Sequence, residues 1–173
     1  MSVRARFQYK CKTCDRIHEG FPAITFDTPI HYLAVPESER SSRCKIDEDL
    51  CVVDNEAFYV RCTLEYPVLD SDEVFSWGIW GSLSKENFDL YLRDRSNAGN
   101  GFFSYLASSF PNYPETLNLH CNMWVQASGI RPKLVLHECD HPLYNEQQQG
   151  ISFAKALEIA KPFIRWHSAE ARN

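Results

Sequence analysis

The middle of the chain alternates between apolar and polar residues, which predicts β-strands. Over 57–66 the apolar side chains share one face of a half-buried strand, and the other face carries Tyr59, Arg61, Thr63 and Glu65. A second alternating stretch follows the turn at 70–72 and places on one face Phe75, Trp77, Ile79 and Leu83. Because the connection is short, these strands are expected to form an antiparallel hairpin. Two more strands are predicted over 117–127 and 133–139.

Helical periodicity appears before and after the last two predicted strands. Ser84 can cap a helix that runs to residue 95. Its inward face is expected to carry Phe88, Tyr91 and Leu92. Ser152 begins another helix, which Pro162 should break or kink, and the stretch 99–101 is expected to be a loop. The pattern therefore predicts an α+β fold, with a largely antiparallel β-sheet of about five strands and flanking helices.

The 173 residues, 44% of them hydrophobic, suffice for one core, so a single domain over 1–173 is expected. Residues 1–50 predict an irregular arm that contains a Cys-x-x-Cys motif, because closely spaced prolines permit only short elements there. Residues 51–151 are expected to form the sheet core, and 152–173 the C-terminal helix.

Charge and cysteine content limit the partners and the compartment. A net charge of −5 argues against a nucleic acid or an anionic membrane as the main partner. The chain contains no apolar run that fits a signal peptide or a membrane span. Seven cysteines, an odd number, fit a disulfide framework poorly. A cytoplasmic location with reduced or metal-bound thiols is therefore expected.

The clearest local motif is the pair Cys11 and Cys14. Two thiolates separated by two residues can bind one tetrahedral ion, and zinc in a closed structural site needs four ligands. The chain has no second Cys-x-x-Cys motif, so the other ligands must come from scattered residues. The candidates are His18, Cys51, Cys44 and His141.

Two other interpretations of the pair stay open. A redox-active dithiol needs a helix after its first cysteine, and Gly20 and Pro22 leave little room for one. The pair can also be two ordinary thiols in a turn. Cys62 and Cys121 lie on the apolar faces of their strands and are expected to be small core residues.

Two further groups of residues could bind a partner or a substrate. Arg61, His141 and Glu146 could meet at one end of the sheet, where they would bind an anion or perform acid–base chemistry. Alternatively, Arg61 is salt-bridged and His141 caps a turn. Trp80, Trp124 and Tyr59 lie on the face opposite the main core stripe, and could form an aromatic binding surface for a peptide or protein. The alternative is that the N-terminal segment or a helix covers this face as a second small core.

Several segments together resemble the bacterial family called domain of unknown function 2199. The resemblance covers roughly 9–151 and depends on Cys11-x-x-Cys14 with His18 and Pro22, on 49–52, 58–61 and 75–84, and on 129–132, 140–143 and 149–151. The chain departs from the family at Asp15 and Cys62, where the family usually has glycine. The resemblance favours Cys11, Cys14, His18 and Cys51 as the zinc ligands. The family has no assigned activity, so the resemblance implies no reaction.

These observations favour a non-enzymatic cytosolic bacterial module that contains a structural zinc ion and binds another protein. The binding residues would be Arg61, Trp80, Trp124 and His141. The alternative is a small hydrolase or transferase that uses Arg61, His141 and Glu146. Phosphate-binding loops and the common hydrolase and metalloprotease motifs are absent from the sequence.

Overall fold

The computed structural model describes residues 7–11, 14–69 and 71–165. In chain order the strands are β1 (Gln8–Cys11), β2 (Ile17–Glu19), β3 (Ile24–Thr25), β4 (Cys44–Ile46), β5 (Leu50–Val53), β6 (Ala57–Pro67), β7 (Val74–Leu83), β8 (Gly101–Leu106), β9 (His120–Trp124), β10 (Lys133–Leu136) and β11 (Ile164–Arg165). The helices are α1 (Ile30–Ala34), α2 (Glu37–Arg43), α3 (Lys85–Asp94), α4 (Pro142–Gln149) and α5 (Phe153–Ala160). A 3₁₀ turn covers Lys161–Phe163.

The main sheet closes into a barrel. Strand β6 pairs with β7, β7 with β8, β8 with β9, and β9 with β10. Strand β10 then pairs with β6 and closes the ring. The closing contact is parallel, with Lys133 opposite Thr63, whereas the other contacts in the ring are antiparallel. The Thr63 N–H also donates to the Pro132 carbonyl at 2.8 Å. The prediction of a largely antiparallel sheet is therefore wrong: the chain is α+β, but its main sheet is a closed, mixed five-stranded barrel.

The two longest described strands, β6 and β7, each have two partners along their second edge. They pair with each other along almost their whole length, which confirms the predicted antiparallel hairpin. The first half of β6 pairs with β5, and its second half meets β10. The first half of β7 pairs with β3, and its second half pairs with β8. Strands β3, β5 and β4 thus extend the barrel wall beyond the closed ring.

Small residues allow the strands to close around a narrow interior. A Cβ at Gly81 would lie 2.7 Å from Ser104 Oγ and 3.0 Å from Leu134 Cδ1. Cys62 and Cys121 are fully buried in the same interior, which confirms the prediction that they are small core residues. Larger side chains at these positions would overfill the barrel.

Helix α3 follows the sequence prediction closely. The Ser84 side chain caps it by accepting a hydrogen bond from the Asn87 N–H at 3.2 Å. Phe88 and Tyr91 are buried as expected, whereas Leu92 is exposed, so the prediction that it faces inward is wrong.

The C-terminal part of the chain contains both expected and unexpected elements. Helix α5 ends before Pro162, which lies in the 3₁₀ turn and so ends the helix as predicted. Strand β8 begins at the end of the predicted loop, and helix α4 was not expected. The predicted C-terminal helix over 152–173 is shorter, because β11 follows the 3₁₀ turn, and residues 166–173 lie outside the described residues. No helix in the described ranges is long and apolar enough to cross a membrane.

A small second sheet packs against the barrel through aromatic rings. In it β1 pairs antiparallel with both β2 and β11. The Phe21 ring centroid lies 4.8 Å from that of Phe7, 5.6 Å from that of Phe75 in β7 and 5.3 Å from that of Phe153 in α5. Tyr9 belongs to the main core. Aromatic packing therefore joins the N-terminal hairpin to the barrel.

Candidate metal centre

The turn between β1 and β2 carries the cysteine pair. The Cys11 N–H donates to the Arg16 carbonyl at 2.9 Å, and the Asp15 N–H donates to the Cys11 carbonyl at 3.2 Å. Asp15 has a φ of 57°, in the left-handed region that aspartate tolerates better than most residues. The departure to Asp15 therefore does not prevent the left-handed backbone conformation at this turn.

Cys11, Cys14 and His18 form one cluster at this turn. One ligand atom of each lies within 4.8 Å of the other two, and Cys14 Sγ is 3.0 Å from His18 Nε2. Ligand atoms around tetrahedral zinc are about 3.5–3.8 Å apart, given Zn–S near 2.3 Å and Zn–N near 2.0 Å. The three atoms therefore need only small shifts to share one ion. The described residues include all seven cysteines, and no disulfide joins any of them.

Residues around the cluster hold its geometry. Tyr9 lies opposite His18 in the β1–β2 pairing, and their rings stack with centroids 5.4 Å apart. Burial raises the pKa of the Tyr9 phenol, and the neighbouring Cys11 and Cys14 thiols raise it further. Lys10 Nζ and the Asp15 carboxylate form an ion pair at 2.9 Å across the turn. The stacked ring and the ion pair fix the two sides of the hairpin.

Cys51, the fourth ligand that the resemblance favoured, does not join this cluster. It is fully buried in β5, in a second core cluster whose members are Val35, Cys51, Val53, Tyr59, Trp80 and Ala107. Burial raises the pKa of the Cys51 thiol to about 12, and the thiolate is the form that binds metals. Within the described part of the chain, the group that could hold an ion is Cys11, Cys14 and His18.

The tryptophans of the predicted binding surface differ in exposure. Trp80 is fully buried, and its Nε1 donates to the Phe26 carbonyl at 2.9 Å. Tyr59 is buried beside it. The N-terminal segment thus covers these two rings, as in the alternative interpretation. Trp124 in β9 is 41% exposed, and its ring lies directly over Gly101 of β8.

Strand β8 contributes aromatic residues that the sequence prediction missed. Phe103 and Tyr105 are exposed, with ring centroids 5.0 Å apart. His120 lies 5.2 Å from the Tyr105 ring, and His137 lies 5.7 Å from the Phe103 ring. We call this surface, Phe103, Tyr105, His120, Trp124 and His137, the aromatic face. The alternation within 101–106 was a signal for it, but the neighbouring glycines favoured a loop.

Arg61 and His141 have separate local partners. The Arg61 guanidinium lies 5.7 Å from the Trp80 ring centroid, and its Nη2 is 4.0 Å from the Asp27 carboxylate. His141 is buried at the N-terminus of α4, where its Nδ1 accepts a hydrogen bond from the Leu143 N–H at 3.1 Å.

Glu146 belongs to a third environment. Its carboxylate accepts a hydrogen bond from the Tyr113 hydroxyl at 2.5 Å and forms an ion pair with Lys155. The Tyr113 hydroxyl lies 3.5 Å from that of Tyr66, near the end of β6. Tyr66 is five residues from Arg61, or about 17 Å along a strand that rises roughly 3.3 Å per residue. Arg61 in β6 and the α4 residues His141 and Glu146 therefore have different neighbours.

Comparison with known proteins gives one match. The model of the family described as "Uncharacterized protein conserved in bacteria (DUF2199)" matches residues 10–151. This range includes the cluster of Cys11, Cys14 and His18 and the whole barrel. Neither curated proteins nor solved structures gave a match. Because the family model covers most of the chain, the chain belongs to the DUF2199 family of uncharacterized proteins conserved in bacteria.

Proposed function

We propose that this chain is a non-enzymatic, cytoplasmic bacterial domain that holds a structural zinc ion and binds another protein. The zinc ligands are Cys11, Cys14 and His18. The observation that carries this proposal is the meeting of two sulfurs and one imidazole nitrogen within 4.8 Å at a single turn. Zinc takes such sulfur and nitrogen ligands, whereas calcium and magnesium take oxygen. Seven thiols without a disulfide suit a reducing compartment.

The ion would act on the β1–β2 hairpin and not on the barrel. The hairpin is short, and aromatic packing already joins it to the barrel. Three protein ligands leave one coordination position, as in catalytic zinc sites. Within the described residues, the group that could hold the ion contains no further carboxylate, imidazole or thiol, so a water molecule would complete a tetrahedral site. All three ligands belong to one short hairpin that packs against the barrel, and this placement favours a structural role for the ion.

Metal analysis of the full chain, purified without chelators, tests the zinc site. We expect about one zinc per chain in the wild type and almost none in Cys14→Ser. Cys139→Ser is the matched control, because Cys139 is a partly exposed cysteine outside the cluster. The proposal fails if the wild type neither carries zinc nor takes it up, or if the control loses as much zinc as Cys14→Ser.

The aromatic face supports the proposal of a protein partner. A groove of about 500 Å³ continues from Phe103 and Tyr105 towards His31 and Tyr59. Among the residues that the structure describes, no lysine, arginine, aspartate or glutamate lines this groove. A neutral groove beside exposed aromatic rings fits a peptide segment that inserts an apolar side chain, and aromatic residues often dominate binding energy at interfaces.

Affinity purification from a bacterium that encodes the chain tests this surface. The wild type, a Phe103→Ala/Tyr105→Ala double variant and a Phe163→Ala control would be compared as bait. Phe163 is 48% exposed and lies outside the aromatic face. We expect a partner that binds the wild type and the control and binds the double variant at least about tenfold more weakly. Equal binding by all three proteins would contradict the proposal.

The alternative of a small hydrolase or transferase is not favoured. Arg61, His141 and Glu146 would have to share one substrate, but His141 and Glu146 already have hydrogen-bond partners within the fold. His141 uses Nδ1 to cap α4, and Glu146 is held by Tyr113 and Lys155. These existing contacts of His141 and Glu146 do not favour joint acid–base chemistry with Arg61.

A further inference from the structure

A pocket separate from the metal centre and the aromatic face lies between the end of α3, the turn after β9 and the middle of β6. Its volume is about 500 Å³. Its lining includes Arg61, Arg93, Arg95 and Arg131, and Asp49 supplies the one carboxylate among the described residues that line it. We call it the arginine pocket. Small-molecule sites in proteins typically span about 300–1,000 Å³.

The charge of the arginine pocket opposes that of the whole chain. The chain has a net charge of −5, whereas the pocket lining carries four arginines against one aspartate. Arg131 Nε donates to the Asp49 carboxylate at 2.7 Å, so that carboxylate is already paired. A concave surface lined by one sign of charge raises the local concentration of ions of the opposite sign. The arginine pocket therefore attracts anions.

Arg61 is the residue in the pocket that most needs a ligand. Its side chain is only 13% exposed, and its Nε is buried without a hydrogen-bond partner in the described structure. Its nearest carboxylate, Asp27, is 4.0 Å away and 96% exposed, and its Nη1 reaches the Glu48 carbonyl only at 3.4 Å. A mostly buried charge is costly unless it is well paired. The Trp80 ring, 5.7 Å away, holds the guanidinium in place.

Arg93 and Arg95 supply charge from the opposite wall. Both lie at the C-terminal end of α3, where positive charge suits the helix dipole. Arg93 Nε donates to the Asp89 carbonyl at 3.2 Å. Within the described residues neither guanidinium forms an ion pair. Their charges are therefore available to a ligand.

We propose that the arginine pocket binds a small phosphate-bearing molecule. A guanidinium offers paired donors that match the oxygens of a phosphate group. Arg61 provides a positioned donor inside the pocket, Arg93 and Arg95 add positive charge from the opposite wall, and Arg131 balances Asp49. A phosphate carries more negative charge than a single carboxylate, so it neutralises more of the excess positive charge in the pocket. The proposal is independent of the zinc ion and of the aromatic face.

Isothermal titration calorimetry on the full chain, purified without chelators and at low ionic strength, tests this proposal. The probes are inorganic phosphate, adenosine monophosphate, adenosine and succinate. We expect phosphate, adenosine monophosphate or both to bind, and adenosine and succinate to bind at least about tenfold more weakly. Phosphate binding as tight as that of the nucleotide would identify a free phosphate ion as the ligand. Tighter nucleotide binding would identify an organic phosphate.

Variants connect the binding to the pocket. Arg61→Gln and Arg95→Gln should each weaken phosphate binding about tenfold or more, because each removes a charge-assisted donor. The exposed Arg95 keeps the test decisive if Arg61→Gln does not fold. Arg43→Gln is the control, because Arg43 pairs with Glu39 and Asp54 outside the pocket. The proposal is overturned if neither phosphate probe binds, if succinate or adenosine binds as tightly, or if the control weakens binding equally.

Discussion

Replacing Trp80 with phenylalanine tests the assignment of this residue to a second core. The indole is fully buried, and its Nε1 donates to the Phe26 carbonyl at 2.9 Å. Phenylalanine keeps an aromatic ring against Tyr59 and Arg61 but removes the donor and part of the volume. Trp124→Phe is the matched control, because it makes the same chemical change at a tryptophan that is 41% exposed.

The expected loss at Trp80 follows from two contributions. Removing the hydrogen bond and leaving the Phe26 carbonyl unpaired costs about 1–3 kcal/mol. The smaller ring leaves a cavity that costs about 1 kcal/mol more. Trp80→Phe should therefore lower the free energy of unfolding by about 3 kcal/mol, a large fraction of the ~5–15 kcal/mol typical of a domain. Trp124→Phe should lower it by less than about 1 kcal/mol.

Urea unfolding followed by far-ultraviolet circular dichroism measures both values without depending on tryptophan fluorescence. The wild type and the two variants would be compared under the same buffer conditions. Equal losses for Trp80→Phe and Trp124→Phe would refute the reasoning, because they would mean that the N-terminal segment does not cover Trp80.

Three further predictions concern the core. The buried Cys51 thiol has a pKa of about 12, against about 8.5 for an unfolded cysteine, so the free energy of unfolding should fall as pH rises between these values. Urea titrations at several pH values should show a smaller fall in the free energy of unfolding for Cys51→Ala than for the wild type. An equal fall in both proteins would contradict the raised pKa of the buried Cys51 thiol. Gly81→Ala should lower the free energy of unfolding by about 2 kcal/mol, because the added methyl group would clash with Ser104. Adding Ser104→Gly should recover part of this loss. No loss in Gly81→Ala would mean that the interior has room for the methyl group. Tyr113→Phe removes the 2.5 Å hydrogen bond to Glu146 and should lower the free energy of unfolding by about 1–2 kcal/mol in the same urea assay. A negligible loss would mean that this hydrogen bond does not stabilise the fold.

The hairpin of β6 and β7 could be predicted because its signals are local. Alternation fixes the face of every side chain, and a short turn fixes the antiparallel pairing. The closure of the barrel depends instead on one parallel contact between Lys133 and Thr63, seventy residues apart in the chain. Strand periodicity does not encode such a partner. Gly81 and Ser104 are small residues that permit a close approach of two strands. The sequence alone does not show that these two strands are neighbours.

In the candidate metal centre, too, the local contacts could be predicted and the long-range contacts could not. Cys11, Cys14 and His18 come together because they share one short hairpin, so their spacing was informative. Cys51 lies forty residues after Cys11 along the chain, in β5. Whether it reaches the cluster depends on where β5 packs in the fold, which the sequence spacing does not determine. Alternation likewise placed Trp80 opposite the main core but could not show that the N-terminal segment covers that face.

X-ray absorption spectroscopy at the zinc edge is the most direct test of the central claim, that Cys11, Cys14 and His18 hold the ion. The account predicts two sulfur ligands near about 2.3 Å, with nitrogen or oxygen ligands near about 2.0 Å completing the shell. Cys51→Ala should leave this spectrum unchanged. A shell with three or four sulfurs, or a sulfur lost in Cys51→Ala, would contradict the account.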